Sequence, residues 1–134
     1  MSGTIPEAAY PLFDDVNFAH VVTVMPDGMP QVTPVWVDRD GGTVLLNTAL
    51  GRAKAVNLER DPRIALCIVA RDNPYTYVQV RGHAALTTEG AAEHIEKLSQ
   101  KYFGRPYPSW RPGEQRVIIR VTPDIVDYHP PRRR

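Results

Sequence analysis

Apolar and polar positions follow two different periods along this chain. Residues 18–25, FAHVVTVM, are rich in β-branched and aromatic side chains. After Pro26-Asp27-Gly28 a second such run, PQVTPVWVD, covers residues 30–38. Strand, Asp-Gly turn and strand together are a hairpin signature. Asp40-Gly41-Gly42 turns the chain again into TVLLNT, residues 43–48, so three successive strands predict a meander. Pro34 has no N–H to give to a ladder, which places its strand at an edge or beside an irregular segment.

The period then becomes helical. Gly51 turns the chain, and an amphipathic helix is predicted over residues 52–59, with Ala53, Val56 and Ala55 or Leu58 for its inward face; Asp61-Pro62 stops it. RIALCIVAR, residues 63–71, is nearly all apolar and suits a strand covered on both faces, with Cys67 as a small core residue. Residues 75–88 alternate instead: Thr76, Val78, Val80, Gly82, Ala84 and Leu86 share one face, and Tyr75, Tyr77, Gln79, Arg81 and His83 the other. Gly82 in mid-strand predicts a bulge or a bend. Thr88 is the predicted N-cap of a second helix over residues 89–103, with Ala91, Ile95, Leu98 and Tyr102 as its buried stripe. The Pro-rich loop RPYPSWRPG leads to a last strand, residues 114–122, with a short extension VDYH. Residues 1–15 read as an arm with one helical turn, and residues 129–134 as a flexible basic tail. The predicted fold is mainly β with minor α: one domain over residues 1–134, a small antiparallel barrel of six or seven strands with two or three helices filling its gaps.

Composition narrows the function classes. With 134 residues, 43% hydrophobic and 23% charged, the chain lies in the ordinary globular range. Formal net charge is +1, and Arg132, Arg133 and Arg134 supply three of the sixteen cations, so nothing forces a nucleic-acid partner. The longest apolar run, residues 64–70, is far short of the roughly 20 residues needed to span a bilayer. The acidic N-terminal stretch lacks the basic and apolar regions of a signal peptide, and a single cysteine fits the cytoplasm, which is the expected location.

Chemistry centres on residues 47–62, NTALGRAKAVNLERDP. Arg52 and Lys54 stand in the first turn of the predicted helix, where unpaired N–H groups already carry about half a positive charge. Two cations there are unfavourable by a few tenths of a kcal/mol each unless an anion sits between them; the alternative is that both simply reach into solvent. The four histidines lack metal-ligand spacing, so no metal is expected, and no common hydrolase or nucleotide motif occurs. No side chain is singled out as catalytic. Trp36, beside the ladder gap at Pro34, could border a planar ligand or be an ordinary barrel or interface aromatic. Tyr75 and Tyr77 could stack on a ring or serve a dimer interface.

Taken together, PDGMPQVTPVWVD, LLNTALGRAKAVNLERDPRIAL, NPYTYVQVRGHAAL and a helix ending KYFG resemble the split β-barrel flavin-binding superfamily of pyridoxamine 5′-phosphate oxidases. Within it the chain looks most like the branch that uses the deazaflavin coenzyme F-420. The likeness runs from about residue 18 to 126. It implies a homodimer with the cofactor in a groove between two barrels. It further implies that Arg52 and Lys54 hold the cofactor phosphate, that Asn47 and Thr48 line the same pocket, that Val35 and Trp36 lie along the deazaflavin ring, that Asn57 supports the loop, and that Tyr75 and Tyr77 arrive from the other subunit. The implied activity is hydride transfer to a small unsaturated organic acceptor. Alternatives on the same barrel are an FMN oxidoreductase of the pyridoxamine 5′-phosphate oxidase type and a non-catalytic cofactor or tetrapyrrole carrier. The basic residues that the oxidase itself uses for pyridoxamine phosphate find no match here.

Overall fold

The computed structural model describes residues 3–131; the predicted tail falls largely on Arg132, Arg133 and Arg134, outside the described residues. The start of the chain forms two separate hairpins, which corrects the predicted meander. β1 (Ala19–Val24) pairs with β2 (Pro30–Val35), and β3 (Asp38–Asp40) pairs with β4 (Thr43–Ala49). Then follow α2 (Ala53–Arg60), β5 (Arg63–Ala70), β6 (Asn73–Thr87), α3 (Ala91–Phe103) and β7 (Arg116–His129), with a 3-10 turn (Glu7–Ala9) and α1 (Tyr10–Asp14) ahead of β1. The seven strands make one antiparallel sheet in the order β2-β1-β5-β6-β7-β4-β3.

That order forces the sheet to close. Its two edges, β2 and β3, are separated in sequence by Trp36 and Val37 alone. In a flat sheet they would lie six strand spacings apart, roughly 29 Å, whereas three Cα steps span at most about 11 Å. The sheet therefore curls into a barrel with an open seam between β2 and β3. Pro34 sits on the seam strand, as its missing donor requires. The crossing residue Val37 is fully buried without a ladder partner, and α3 satisfies it instead. Its N–H donates to the Tyr102 hydroxyl at 3.0 Å, and its carbonyl accepts from Lys101 Nζ at 2.7 Å. Burial pushes the Tyr102 hydroxyl up to about 12, so it stays protonated and donates onward to the Asn17 carbonyl.

The core runs through the barrel: Val21 on β1, Leu46 on β4, Leu66 and Ile68 on β5, Val78 and Val80 on β6, and Ile119 on β7. Residues 5–13 contribute Ile5, Ala9, Leu12 and the fully buried Phe13 to that cluster, so this stretch packs as part of the core. The predicted alternation of β6 is present, with Thr76, Val78 and Val80 buried. At Gly82 the β6–β7 register shifts, and a Cβ there would lie 2.1 Å from the Thr122 carbonyl oxygen. Only glycine permits that approach.

Three predictions need correction. β5 buries Ile64, Leu66 and Ile68, but its other face, with Ala65, Cys67 and Val69, is half-exposed, so Cys67 lies outside the core. Coverage on both faces belongs to β4, because α3 packs over that part of the sheet. On α2 the inward residues are Ala55, Asn57 and Leu58, while Ala53 and Val56 are exposed. α3 is capped by Gly90 in the left-handed conformation (φ 73°) and not by the Thr88 side chain; the Thr88 carbonyl accepts the Ala91 N–H instead. Of its predicted stripe Ala91, Ile95 and Leu98 are buried and Tyr102 is half-buried, and His94 and Ser99 join the buried face.

Candidate functional site

β4 ends at Ala49, Gly51 turns the chain at φ 88°, and Arg52 is the N-cap of α2 in extended conformation. The first turn of α2 holds no acid. Lys54 reaches back to the seam strand and donates to Thr33 Oγ1. It is half-buried, and burial, then the charge of Arg52, pulls its pKa below the ordinary lysine value. No carboxylate pairs with it among the described residues. Arg52 Nη2 lies 3.0 Å from Glu114 Oε1, and the same oxygen accepts from Arg116 Nη1 at 2.7 Å. Burial alone would raise Glu114; Arg116, the Arg111 amide and Arg52 outweigh it and hold the carboxyl below its usual range. Two arginines thus share one carboxylate, and Glu114 and Arg116 have side chains only 5% and 3% exposed.

Arg116 links this cluster to a cleft of about 290 Å³ along the seam. Phe18, Pro34, Val35 and Trp36 line one side, Ile95, Leu98 and Phe103 come from α3, Tyr107 and Ser109 come from the loop before β7, and Asn47 and Arg116 supply an amide and a charge. Trp36 stacks on Tyr102 at 5.1 Å and meets Phe103 edge-on at 4.9 Å and Tyr107 at 6.2 Å. Glu96 ties the loop to α3: its carboxylate accepts the Tyr107 N–H and Trp110 Nε1–H, each at 2.8 Å. Those two bonds outweigh its partial desolvation and lower its pKa.

A buried polar chain fixes Asn47. Arg116 Nε can only donate, so its 2.9 Å contact makes Asn47 Oδ1 the acceptor. The amide nitrogen then donates to the Ala91 carbonyl and to His94 Nδ1, both at 3.0 Å, leaving His94 Nε2–H to donate to Asp38 at 3.0 Å. Burial alone would raise Asp38, but His94, the Arg39 amide and Lys97 hold it well below the carboxylate range.

Of the nine residues named from sequence, Val35, Trp36 and Asn47 line the cleft; Arg52 and Lys54 do not, Arg52 being linked to the lining Arg116 through Glu114 and Lys54 bonding Thr33, next in the chain to the lining Pro34. Thr48 is buried on the opposite face of β4 from Asn47 and does not line the cleft. Asn57 is buried under α2 and donates to Thr23 Oγ1 at 3.0 Å and Met25 Sδ at 3.3 Å, which anchors the helix to the first hairpin. Tyr75 is exposed, Tyr77 stacks on His129 at 4.3 Å, and neither reaches the cleft of its own chain. Sequence reading missed Glu114, Arg116, Tyr107 and the Asp38–His94 pair. The signal at the first two was a Glu-x-Arg pair heading an apolar strand, which puts opposite charges on one face.

The profile of the family described as pyridoxamine 5′-phosphate oxidase matches residues 5–130. The chain belongs to that family. The family is one of flavin-binding oxidoreductases on a split β-barrel, the fold that the sheet order of this chain builds. Among solved structures, an F420 reductase matches the oxidase-family chain with a TM-score of 0.80 and 30% identity, covering 92% of this chain and 98% of the other. The conserved hypothetical protein Rv2991 from Mycobacterium tuberculosis matches with 0.72 and 28%, covering 91% and 82%. General Stress Protein 26 from Bacillus anthracis str. Sterne matches with 0.72 and 16%, covering 94% of each, a likeness of fold alone. Among the described residues no helix is long and apolar enough to cross a membrane, and no group of three acidic, histidine or cysteine side chains could hold a metal ion.

Proposed function

We propose that this chain is a reductase that uses the deazaflavin coenzyme F-420 to deliver a hydride to a small unsaturated organic acceptor, in the cytoplasm and as a homodimer. The observation that carries the reading is the cation pair at the start of α2: Arg52 and Lys54 beside an acid-free helix N-terminus with no side-chain cap, Lys54 without a paired carboxylate among the described residues and Arg52 sharing Glu114 with Arg116. A phosphate there would receive backbone N–H donors and two cationic side chains together, which fits the group a deazaflavin or a flavin mononucleotide presents. Likeness to an F420 reductase over nearly the full length of both chains favours the deazaflavin.

When bound, the coenzyme supplies a hydride donor. This chain's residues bind and orient it. Lys54 and Arg52 would hold the phosphate, and Val35 and Trp36 would give the ring an apolar wall braced by Tyr102 and Phe103. The stapled loop carrying Tyr107 and Trp110 limits water on the α3 side. The half-exposed outer face of β1, β2 and β5, with Val22, Val32, Ala65 and Cys67, is an apolar strip suited to a second copy, whose Tyr75 and Tyr77 would complete the groove.

FMN is the second reading, favoured by the family profile itself. Parallel fluorescence titrations of the purified chain with coenzyme F-420 and FMN separate the two. Tighter binding of F-420, with the reduced coenzyme consumed in the presence of an enone or quinone panel, supports the reductase. Tight FMN binding with none for F-420 overturns it in favour of the oxidase-type reading. Light scattering of the same sample, expected at twice the chain mass, tests the dimer.

A further inference from the structure

We propose that Arg116 is the receptor for a carboxylate on a planar, otherwise apolar ligand bound in the seam cleft, which makes the preferred acceptor an unsaturated or aromatic acid. Assigning that acid to the hydride acceptor rests on the reductase reading; its binding at Arg116 does not.

Arg116 is almost fully buried, yet it borders the cleft. Its guanidinium has three neighbours: Nε donates to Asn47 Oδ1, Nη1 donates to Glu114 Oε1, and the guanidinium carbon lies over the Tyr107 ring, 5.3 Å from its centroid. Nη2 has no protein acceptor among the described residues. Nη2 is not among the buried atoms that lack a partner, so it is the donor of this guanidinium left open to the cleft. Its charge is also incompletely balanced, because Glu114 is shared with Arg52.

The walls around it select the ligand. Phe18, Trp36 and Phe103 offer aromatic surface, and Tyr107 faces both Trp36 and the guanidinium. A hydrated phosphate dianion is better served at Arg52, which is 46% exposed, and Lys54, beside free helix N–H groups. A flat acid can lay its body against the rings and set its carboxylate on Nη2 in a charge-assisted bond. Arg116 is therefore separated from the phosphate site by surroundings, although Glu114 ties the two together.

Calorimetric titration of the full chain with trans-cinnamate, trans-cinnamyl alcohol and inorganic phosphate tests this. Cinnamate is expected to bind at least about tenfold more tightly than the alcohol, the equivalent of one charge-assisted bond. In Arg116→Gln, checked for folding by circular dichroism, that preference is expected to vanish. In Lys54→Ala the preference is expected to persist while coenzyme affinity falls, so loss of the coenzyme reading and loss of the carboxylate reading appear in different variants. Should Arg116→Gln fail to fold, the ligand comparison in the unaltered chain decides. Comparable binding of acid and alcohol, no saturable binding of either, or displacement of cinnamate by phosphate at equal concentration overturns the assignment.

Discussion

Lys54 provides the sharpest separation between a structural and a functional charge. Lys54→Met keeps most of the aliphatic stem and removes the ammonium. In the free protein, burial and Arg52 hold the Lys54 pKa below its ordinary 10.5, so the unfolded chain binds this proton more tightly than the folded one. Stability then rises with pH as the ordinary value is approached, and the charged group is a net burden at neutral pH. The variant is expected to be at least as stable as the parent at pH 7 and to lose that alkaline gain. Binding moves the other way. One charge-assisted contact to a phosphate contributes about 1.5–3 kcal/mol, so Kd for the coenzyme is expected to rise about 10- to 150-fold. Added salt should narrow the gap between parent and variant, since Arg52 and its surroundings are partly exposed. Thermal melts of the free chain and fluorescence titrations of the coenzyme read the two effects separately. An unchanged Kd removes the phosphate assignment. A free variant that melts clearly below the parent would make Lys54 a structural residue acting through Thr33.

Glu114→Gln leaves Arg116 buried without its carboxylate, and is expected to destabilise the free chain by about 3 kcal/mol in chemical denaturation, the scale of a broken buried pair; a loss under about 1 kcal/mol would mean the charge relaxes into solvent. Asp38 has a depressed folded pKa, so its stabilisation is present above the ordinary 3.8 and is lost as pH falls from there. Asp38→Asn is expected to flatten the acid limb of a stability–pH curve; an unchanged limb assigns acid denaturation elsewhere. Gly82→Ala would drive a methyl into the Thr122 carbonyl and is expected to cost at least about 2 kcal/mol, whereas Gly42→Ala, with nothing within 4 Å, should stay within about 0.5 kcal/mol by the same denaturation assay. Equal effects at both glycines would contradict the close approach of β6 and β7.

Legibility followed the range of the forces involved. The β1–β2 hairpin, the alternation of β6, the Gly82 bulge and the stripe on α3 are local patterns of period two or 3.6, and each lay open in the residues. The parting of β2 from β3 did not. PQVTPVWVD reads as one strand to Asp38 because Trp36 and Val37 continue its apolar character. What stops the strand is Tyr102 and Lys101, more than sixty positions away, which take over the backbone groups of Val37. The misplaced cations at Arg52 and Lys54 were visible because a helix end has a known polarity. Glu114, Arg116 and His94 were not, because burial and the sharing of one carboxylate are products of packing. β5 misled for a related reason: a strand whose second face is only half-covered carries the same apolar composition as one that is fully buried.

The seam explains why the candidate site residues, from distant parts of the chain, meet. Had Val37 continued a ladder, the β2 and β3 edges would pair, and the space between Trp36 and α3 would be filled by sheet. Because α3 supplies the donors and acceptors instead, the helix must lie across the gap, and its Phe103 and Leu98 become one wall of a cleft whose other wall is β2. The neighbour of β3 on the far side is β4, so the turn that carries Arg52 and Lys54 necessarily opens at the same end as Asn47. β7 pairs with β4 so that Ala49 faces Arg116, bringing the third cation beside the first two. A substitution that severs Val37 from α3, such as Tyr102→Phe, should therefore weaken coenzyme binding without touching a cationic residue. Full affinity in a folded Tyr102→Phe chain would show that the seam stays open without its hydroxyl.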